Sequence, residues 1–442
     1  MNKKSVILII FGITGDLSKR YLLPAIGKIA EKGMLPMQFH IVGVTRKPKI
    51  KVDDLLEKTK YKKYIKNHLE IYSMNMDDIN DYRRFSDYLR NKEKKMKGPV
   101  ERLFHFSVPP LVTRNIVEFL GKSSLSKISG TKLLLEKPFG VNLEDAADLV
   151  KHINKYFSPE QVYRVDHYMA KEITQNIIVF RDGNSLFKKT WNKNFIKSID
   201  IIASEEIDIE GRANFYEQTG ALRDYIQSHL LQLTALVLMN LPEDGDLKKV
   251  PTLRLETLKH LKVLDAKRGQ YEGYKKEVDN PSSLVETFVS ITLLSGDPRW
   301  VGVPITLTTG KALKDRFTEI RISYKKEKDC ESNKLFLRLQ PEEGIRFDIW
   351  AKQPGYEHKV ASHHLGFKFR EHYDILPEAY EKVLYNAFNS DHSLFTTSDE
   401  VLEAWRILDL LQKKWKKSGK DIIIYKKGST VEDIIREPKK HK

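Results

Sequence analysis

The sequence has almost no cysteine. Cys330 stands alone among 442 residues, so an internal disulfide framework is excluded and a reducing compartment is expected. Long apolar runs are missing as well, and no stretch approaches the ~20 residues a helix needs to cross a bilayer. Lys3-Lys4 before the apolar residues 6–11 faintly imitates a secretory signal, but Gly12 and Asp16 follow at once, and a buried strand fits better. Zinc-finger spacing, aromatic RNA-recognition strings, heptads, internal repeats and low-complexity linkers are all absent. Nucleic-acid binding therefore rests on charge alone.

Acidic charge is in deficit. Lys+Arg number 76 against 60 Asp+Glu, a formal net charge of +16. Such an excess attracts polyanions: nucleic acid, anionic lipid or phosphorylated metabolites. Much of it is diffuse, as in Lys60-Tyr61-Lys62-Lys63 and Lys439-Lys440-His441-Lys442, runs that usually form solvated faces. With 40% hydrophobic and 31% charged residues, the chain suits two or three folded domains.

Up to about residue 165, apolar strand patterns alternate with helical ones. Strands are predicted at 6–11, 39–45, 103–108 and 132–135, and helices at 16–32, 52–98 and 116–120. Pro24 predicts a kink in the first helix. This alternation predicts a parallel, doubly wound, Rossmann-like sheet. The pattern then changes. An apolar helix is predicted at 225–240, and strand-like runs at 284–294, 304–308, 319–324, 335–339 and 345–350 follow without helices between them. They predict a large, mainly antiparallel sheet, with helices returning at 377–387 and 398–413. The expected fold class is α/β plus α+β, with a dinucleotide-binding domain at 1–165 and a second domain at 166–442.

Gly12-Ile13-Thr14-Gly15-Asp16-Leu17 joins the first strand to the first helix. Its glycines let the backbone turn tightly and approach a pyrophosphate at the helix start. The string falls short of a full GxGxxG, and a plain strand-to-helix turn is the ordinary explanation. Arg46 and Lys47 end the second strand. An acidic residue there commonly meets the ribose of NAD, whereas an arginine suits the 2′-phosphate of NADP. Two cations without a carboxylate favour NADP; two solvated charges are the plain alternative. Pro109 ends the next strand, beside the expected nicotinamide half, and Glu136-Lys137-Pro138-Phe139-Gly140 ends another. Ligands sit at strand C-termini in open α/β sheets, so Lys137 is placed for both substrate and cofactor. Pro138 suits a tight or cis turn.

The densest polar string is Arg164-Val165-Asp166-His167-Tyr168-Met169-Ala170-Lys171-Glu172. An anion, an imidazole, a phenol and an ammonium within six positions can grip a phosphate and orient a base; a charged helix start on the surface is equally compatible. Arg223-Asp224-Tyr225-Ile226-Gln227-Ser228-His229 opens the apolar helix, whose core face is Ile226, Leu230, Leu233 and Val237. His229 lies beside that face and is expected to be half buried. A near-neutral imidazole suits removal of a hydroxyl proton, and a carboxylate can fix its tautomer. A lone histidine at such a place is more commonly a satisfied core residue. Lys311 and Arg316 fall in a predicted loop and supply cations for a phosphate, and Gln340 ends a later strand.

These strings together resemble the glucose-6-phosphate dehydrogenase family. The resemblance continues through Arg268-Gly269-Gln270-Tyr271, Glu286-Thr287-Phe288, Arg299-Trp300-Val301-Gly302-Val303-Pro304, Gly310-Lys311-Ala312-Leu313 and Glu403-Ala404-Trp405-Arg406, nearly the whole chain. It implies oxidation of glucose 6-phosphate to 6-phosphoglucono-δ-lactone with NADP, the first step of the oxidative pentose phosphate pathway. It implies His229 as general base with Asp166 as its carboxylate partner. It implies His167, Tyr168, Lys171, Lys311 and Arg316 at the phosphate, and Lys137, Glu205, Asp224 and Gln340 near the sugar. Gly12, Thr14, Gly15, Asp16, Leu17 and Arg46 fall where the family binds NADP; Lys47, Pro109 and Lys137 join them. The resemblance further implies a homodimer or dimer-based tetramer, a cytoplasmic enzyme and no metal.

Several positions depart from the family pattern. Gly211-Arg212-Ala213-Asn214-Phe215-Tyr216-Glu217 replaces a glycine-rich stretch with Asp-Glu-Phe, and Thr113 replaces a tyrosine. Thr308 and Phe317 stand where animal members carry basic residues for a second, structural NADP, and only Arg321 and Arg338 remain; that second site is expected to be absent. The rival readings are another NAD(P)-dependent sugar or sugar-phosphate oxidoreductase and a non-catalytic cofactor-binding regulator.

Overall fold

A computed structural model describes residues 4–57, 59–326 and 331–436. Cys330 and the basic tail at 439–442 lie outside the described residues. The chain forms two compact units. One takes residues 1–140, 144–170 and 377–401; the other takes 141–143, 171–376 and 402–442.

The first unit is built on six parallel strands: β1 (Ser5–Phe11), β2 (Phe39–Thr45), β3 (Leu69–Ser73), β4 (Val100–Phe106), β5 (Thr131–Leu135) and β6 (Val162–Arg164). Their order is β3-β2-β1-β4-β5-β6, the doubly wound arrangement whose switch point lies beside β1. Every residue of β1 is buried, which is why it reads as one apolar run: a central parallel strand is covered on both faces. Pro24 does not kink the first helix. It occupies the opening turn of helix Leu23–Glu31, after a π-wound turn at Ser18–Leu22; an opening turn tolerates the missing N–H.

The stretch 52–98 is not uniformly helical. It contains β3 between helices Lys62–His68 and Ile79–Glu93. Only Leu69 of that edge strand is buried, so no apolar pattern announces it. Helix Ala379–Phe388 belongs to this unit: Val383, Leu384 and Phe388 share a core with Ile29 and Phe39. Buried Lys132 fastens the segment, donating to Glu101 at 2.6 Å, the Ala387 carbonyl at 2.8 Å and the Ser390 hydroxyl at 2.8 Å.

The second unit is built on nine strands: β7 (Ile196–Ser204), β8 (Leu261–Tyr271), β9 (Phe288–Ser295), β10 (Ile305–Gly310), β11 (Phe317–Tyr324), β12 (Lys334–Gln340), β13 (Gly344–Lys352), β14 (Val360–Lys368) and β15 (Ile422–Tyr425). The order is β14-β13-β12-β11-β7-β10-β9-β8-β15. Neighbours are antiparallel except β7/β10 and β8/β15. Strands β7, β8, β14 and β15 escape the sequence pattern; β14 is exposed along almost its whole length. Residues 284–287, read as the start of a strand, precede β9. The side-chain amide of Gln270 donates to the Ser283 and Val285 carbonyls there. Helix Leu222–Leu230 is π-wound and runs directly into helix Leu231–Leu238. Its predicted core face, Ile226, Leu230, Leu233 and Val237, is fully buried.

Candidate active site

In the first unit, parallel pairing puts the C-terminal ends of β1, β2, β4, β5 and β6 on one edge of the sheet. Gly12–Leu17, Arg46 and Lys47, Pro109, Lys137 and Asp166–Ala170 all follow those ends. Gly12 has φ +82°, and a Cβ there would meet the Ser107 carbonyl oxygen at 2.1 Å. The Gly12 carbonyl accepts from the Gly15 N–H at 2.9 Å and the Ser18 hydroxyl at 3.0 Å. The turn is thus locked with a glycine surface where a phosphate would approach, which fits a dinucleotide. Arg46, Lys47 and Pro109 are exposed, and Thr14, Leu17 and Lys137 are half-buried. Asp16 is exposed and ion-paired with Arg20 at 3.0 Å.

The 164–172 string is not a surface helix start. Arg164 ends β6, residues 166–170 form a turn, and helix Glu172–Gly183 follows. Asp166 is buried, and its Oδ1 accepts the Tyr168 N–H at 2.9 Å while its carbonyl accepts the Met169 N–H at 3.1 Å. This self-bonded turn fixes the carboxylate. Tyr168 is buried, and half-buried His167 sets its ring edge-on to it at 5.0 Å. Burial pushes the Arg164 guanidinium down to about 10, against the opposing pull of Asp399 and Glu400. Beside Lys137, Glu136 is held by the Tyr380 hydroxyl at 3.2 Å and lies 3.1 Å from buried His105. Sequence reasoning missed that histidine, which looks like any strand residue.

In the second unit, Lys171 donates to the Leu339 carbonyl at 3.3 Å. Burial lowers its pKa, Glu343 opposes that, and the Arg316 charge adds to it. Lys171 and exposed Arg316 therefore share one electrostatic neighbourhood. Glu343 was not anticipated; its carboxylate accepts the Ile173 N–H at 2.7 Å, at the start of helix Glu172–Gly183. Gln340 donates to the Thr318 hydroxyl at 2.8 Å.

Lys311 lies in the loop between β10 and β11, as expected, but it is buried and paired. It is 3% exposed and pairs with Glu205 at 2.6 Å. Gly310 and Ser204 are register partners in the parallel β7/β10 pair, so Lys311 and Glu205 leave adjacent strand ends together. His229 is 1% exposed rather than half buried. Its expected exposure assumed ordinary helical winding. The i→i+5 bonding of a π-helix changes the angle between successive residues, and the same π-wound stretch carries half-buried Asp224. Tyr225 sits edge-on to the imidazole at 5.6 Å.

Residues 9–176 match the family model described as glucose-6-phosphate dehydrogenase, NAD binding domain, and residues 178–437 match its C-terminal domain. The chain belongs to the glucose-6-phosphate dehydrogenase family. It is 33% identical to glucose-6-phosphate 1-dehydrogenase of Chlamydia muridarum, covering 93% of this chain and 90% of that protein. The Bacillus subtilis enzyme is 31% identical over 92% of this chain and 91% of its own length. A solved glucose-6-phosphate dehydrogenase in complex with its substrate glucose-6-phosphate superposes with a TM-score of 0.90 at 29% identity, over 97% of each chain. The N-terminal match supports a nicotinamide dinucleotide cofactor.

The altered 211–217 stretch, read as a loop in the sequence, is helical from Ala213 on and is tied down through Glu217. Its carboxylate accepts from Tyr274 at 2.7 Å, Asn280 at 2.9 Å and Ser283 at 2.9 Å. Phe317 lies under the guanidinium groups of both Arg321 and Arg338, at 5.5 and 5.3 Å, and both arginines pair with Glu319.

Proposed function

We propose that the chain oxidises D-glucose 6-phosphate to 6-phosphoglucono-δ-lactone with NADP. The observation that carries this reading is the likeness, over 97% of both chains, to a dehydrogenase solved with glucose-6-phosphate, in a sequence that keeps His229, Asp166 and Lys171. Residues 1–165 then serve as the NADP-binding domain and 166–442 as the domain for substrate and dimerisation.

In this reading NADP⁺ supplies the hydride acceptor. Gly12, Thr14, Gly15, Asp16 and Leu17 hold its pyrophosphate side, Arg46 and Lys47 its 2′-phosphate, and Pro109 and Lys137 its nicotinamide side. Nε2 or Nδ1 of His229 takes the C1 hydroxyl proton as hydride leaves C1, and Asp166 holds the imidazole and stabilises its charged form. His167, Tyr168, Lys171 and Arg316 anchor the 6-phosphate. The anchor takes no part in bond making, so its binding energy goes into orientation. Lys311 acts as half of a pair with Glu205, placing that carboxylate near the sugar with Asp224, Gln340 and Lys137. In this reading the chain binds no second, structural NADP, since Glu319 takes up the charge of Arg321 and Arg338. No metal takes part. A cytoplasmic homodimer or dimer-based tetramer completes the reading; among the described residues no helix is long and apolar enough to cross a membrane.

The test is reduced-nicotinamide absorbance with glucose 6-phosphate and free glucose, each with NADP⁺ and NAD⁺. Turnover of the phosphorylated sugar with NADP⁺ is the expected result. Equal activity on both sugars overturns the phosphate anchor, and silence on both overturns the reaction.

A further inference from the structure

Glu286 belongs to a sequence string, Glu286-Thr287-Phe288, to which the reaction above gives no task. Its surroundings are specific. Gly220 breaks the preceding helix Ala213–Ala221 with φ +65° and ψ 170°. The chain then starts the π-wound helix Leu222–Leu230. The Ala221 N–H donates to the Glu286 main-chain carbonyl at 2.9 Å, and the Leu222 N–H donates to Glu286 Oε1 at 3.0 Å. One buried residue thus takes two N–H groups at a helix start, where such groups lack intrahelical partners. A Cβ on Gly220 would lie 2.6 Å from that same Oε1. The side-chain carboxyl crosses directly over the glycine to reach the helix.

The other end of the helical run is held equally firmly. Arg181 donates to the Leu236 and Met239 carbonyls at 3.1 and 2.8 Å. The indole N–H of Trp191 takes Val237 at 2.8 Å, and that of Trp300 takes Leu238 at 2.9 Å. Four consecutive terminal carbonyls are therefore satisfied from outside. Between these fixtures lies a π-wound stretch, a rare winding found mostly at functional sites. It carries Asp224 and His229. An α-helix turns about 100° per residue, so gaining or losing one residue in the ladder re-aims the side chains on the far side of the change by about that angle. With the C-terminal end fixed by indoles and a guanidinium, a loosened start would be absorbed inside the π stretch, where His229 stands.

We propose that Glu286 is a positioning residue that pins the start of this helix and so sets the direction in which His229 and Asp224 present their side chains. This rests on the role given to His229 above. The full chain is compared as wild type, Glu286→Gln, Glu286→Asp and Glu286→Ala. Glutamine keeps an acceptor at the same reach; aspartate keeps the carboxyl but falls one methylene short. Glutamine is expected to hold kcat within about threefold of wild type. Aspartate and alanine are expected to lose about 10²-fold in kcat, the scale of an approximately 1 Å misplacement, with KM for glucose 6-phosphate within about threefold. The acid limb of their pH profile should move with His229. Amide hydrogen exchange of the peptide 221–230 should accelerate in aspartate and alanine and stay slow in glutamine.

Equal behaviour of glutamine and aspartate overturns the proposal, as does unchanged exchange in aspartate. If alanine does not fold, the glutamine–aspartate pair decides alone. If the wild type turns over no glucose 6-phosphate, the functional reading fails and the exchange measurement by itself supports or overturns the anchor.

Discussion

Lys311 and Glu205 close a 2.6 Å ion pair at neighbouring ends of two parallel strands, with the ammonium almost wholly buried. The Lys311 main chain is also fixed, its N–H donating to the Thr287 carbonyl at 2.9 Å and its carbonyl accepting the Tyr425 hydroxyl at 2.8 Å. Removing one partner of a buried pair leaves the other charge uncompensated. Lys311→Ala is therefore expected to cost about 3 kcal/mol or more of stability. The double variant Lys311→Ala/Glu205→Ala should cost less than the sum of the two single variants. Urea unfolding of the three variants checks this; strict additivity would show that the pair contributes nothing.

His229→Asn should lower kcat by about 10² to 10⁴, the range for a general base, while KM for glucose 6-phosphate changes little. The acid limb of the pH–rate profile should disappear with the imidazole. A variant with a wild-type rate removes His229 from the reaction.

Lys171 gives a pH prediction with a definite sign. Its folded pKa lies below the ordinary lysine value because burial disfavours the ammonium. The cation that would hold a phosphate is present at neutral pH and is lost as pH rises. In the free enzyme that loss comes earlier than the ~10.4 of an exposed lysine. The kcat/KM for glucose 6-phosphate should therefore fall on the alkaline side. Lys171→Gln should raise KM by about 10- to 100-fold, the worth of a charged hydrogen bond, and flatten that limb. An alkaline limb that survives in Lys171→Gln belongs to another group.

Arg46 is exposed immediately after β2. Arg46→Ala should weaken NADP⁺ by about 10- to 100-fold and leave NAD⁺ nearly unchanged. Parallel KM measurements with both cofactors decide it, and unaltered selectivity moves the 2′-phosphate elsewhere.

Gly12→Ala meets two obstacles at once, a left-handed backbone and a carbonyl oxygen 2.1 Å from the new Cβ. Strain of about 1–3 kcal/mol is expected, together with a raised KM for cofactor. A thermal melt and a cofactor titration check both parts; an unchanged melt would mean that the turn relaxes freely.

The two halves of the chain were unequally legible. Fully buried parallel strands such as β1 must be apolar at every residue, so composition alone reveals them. Edge and exposed strands carry no such mark: β3 hides among charges, and β14 shows almost no buried side chain. Which residue types could carry the chemistry was readable from Asp166, His167, Lys171 and His229, because few side chains can hold a phosphate or move a proton near neutral pH. What each of them does in the fold was not.

The sequence by itself determined the family, the parallel dinucleotide-binding sheet and the set of chemically competent groups, since these follow from local pattern and side-chain type. Only the tertiary structure decided that Lys311 is neutralised by Glu205, that 377–401 packs with the first unit, that the His229 helix winds with i→i+5 bonds, and that Glu286 holds its start. Each of these joins residues far apart in the chain, or rests on backbone winding. Neither distance through space nor helical register is written in residue identity.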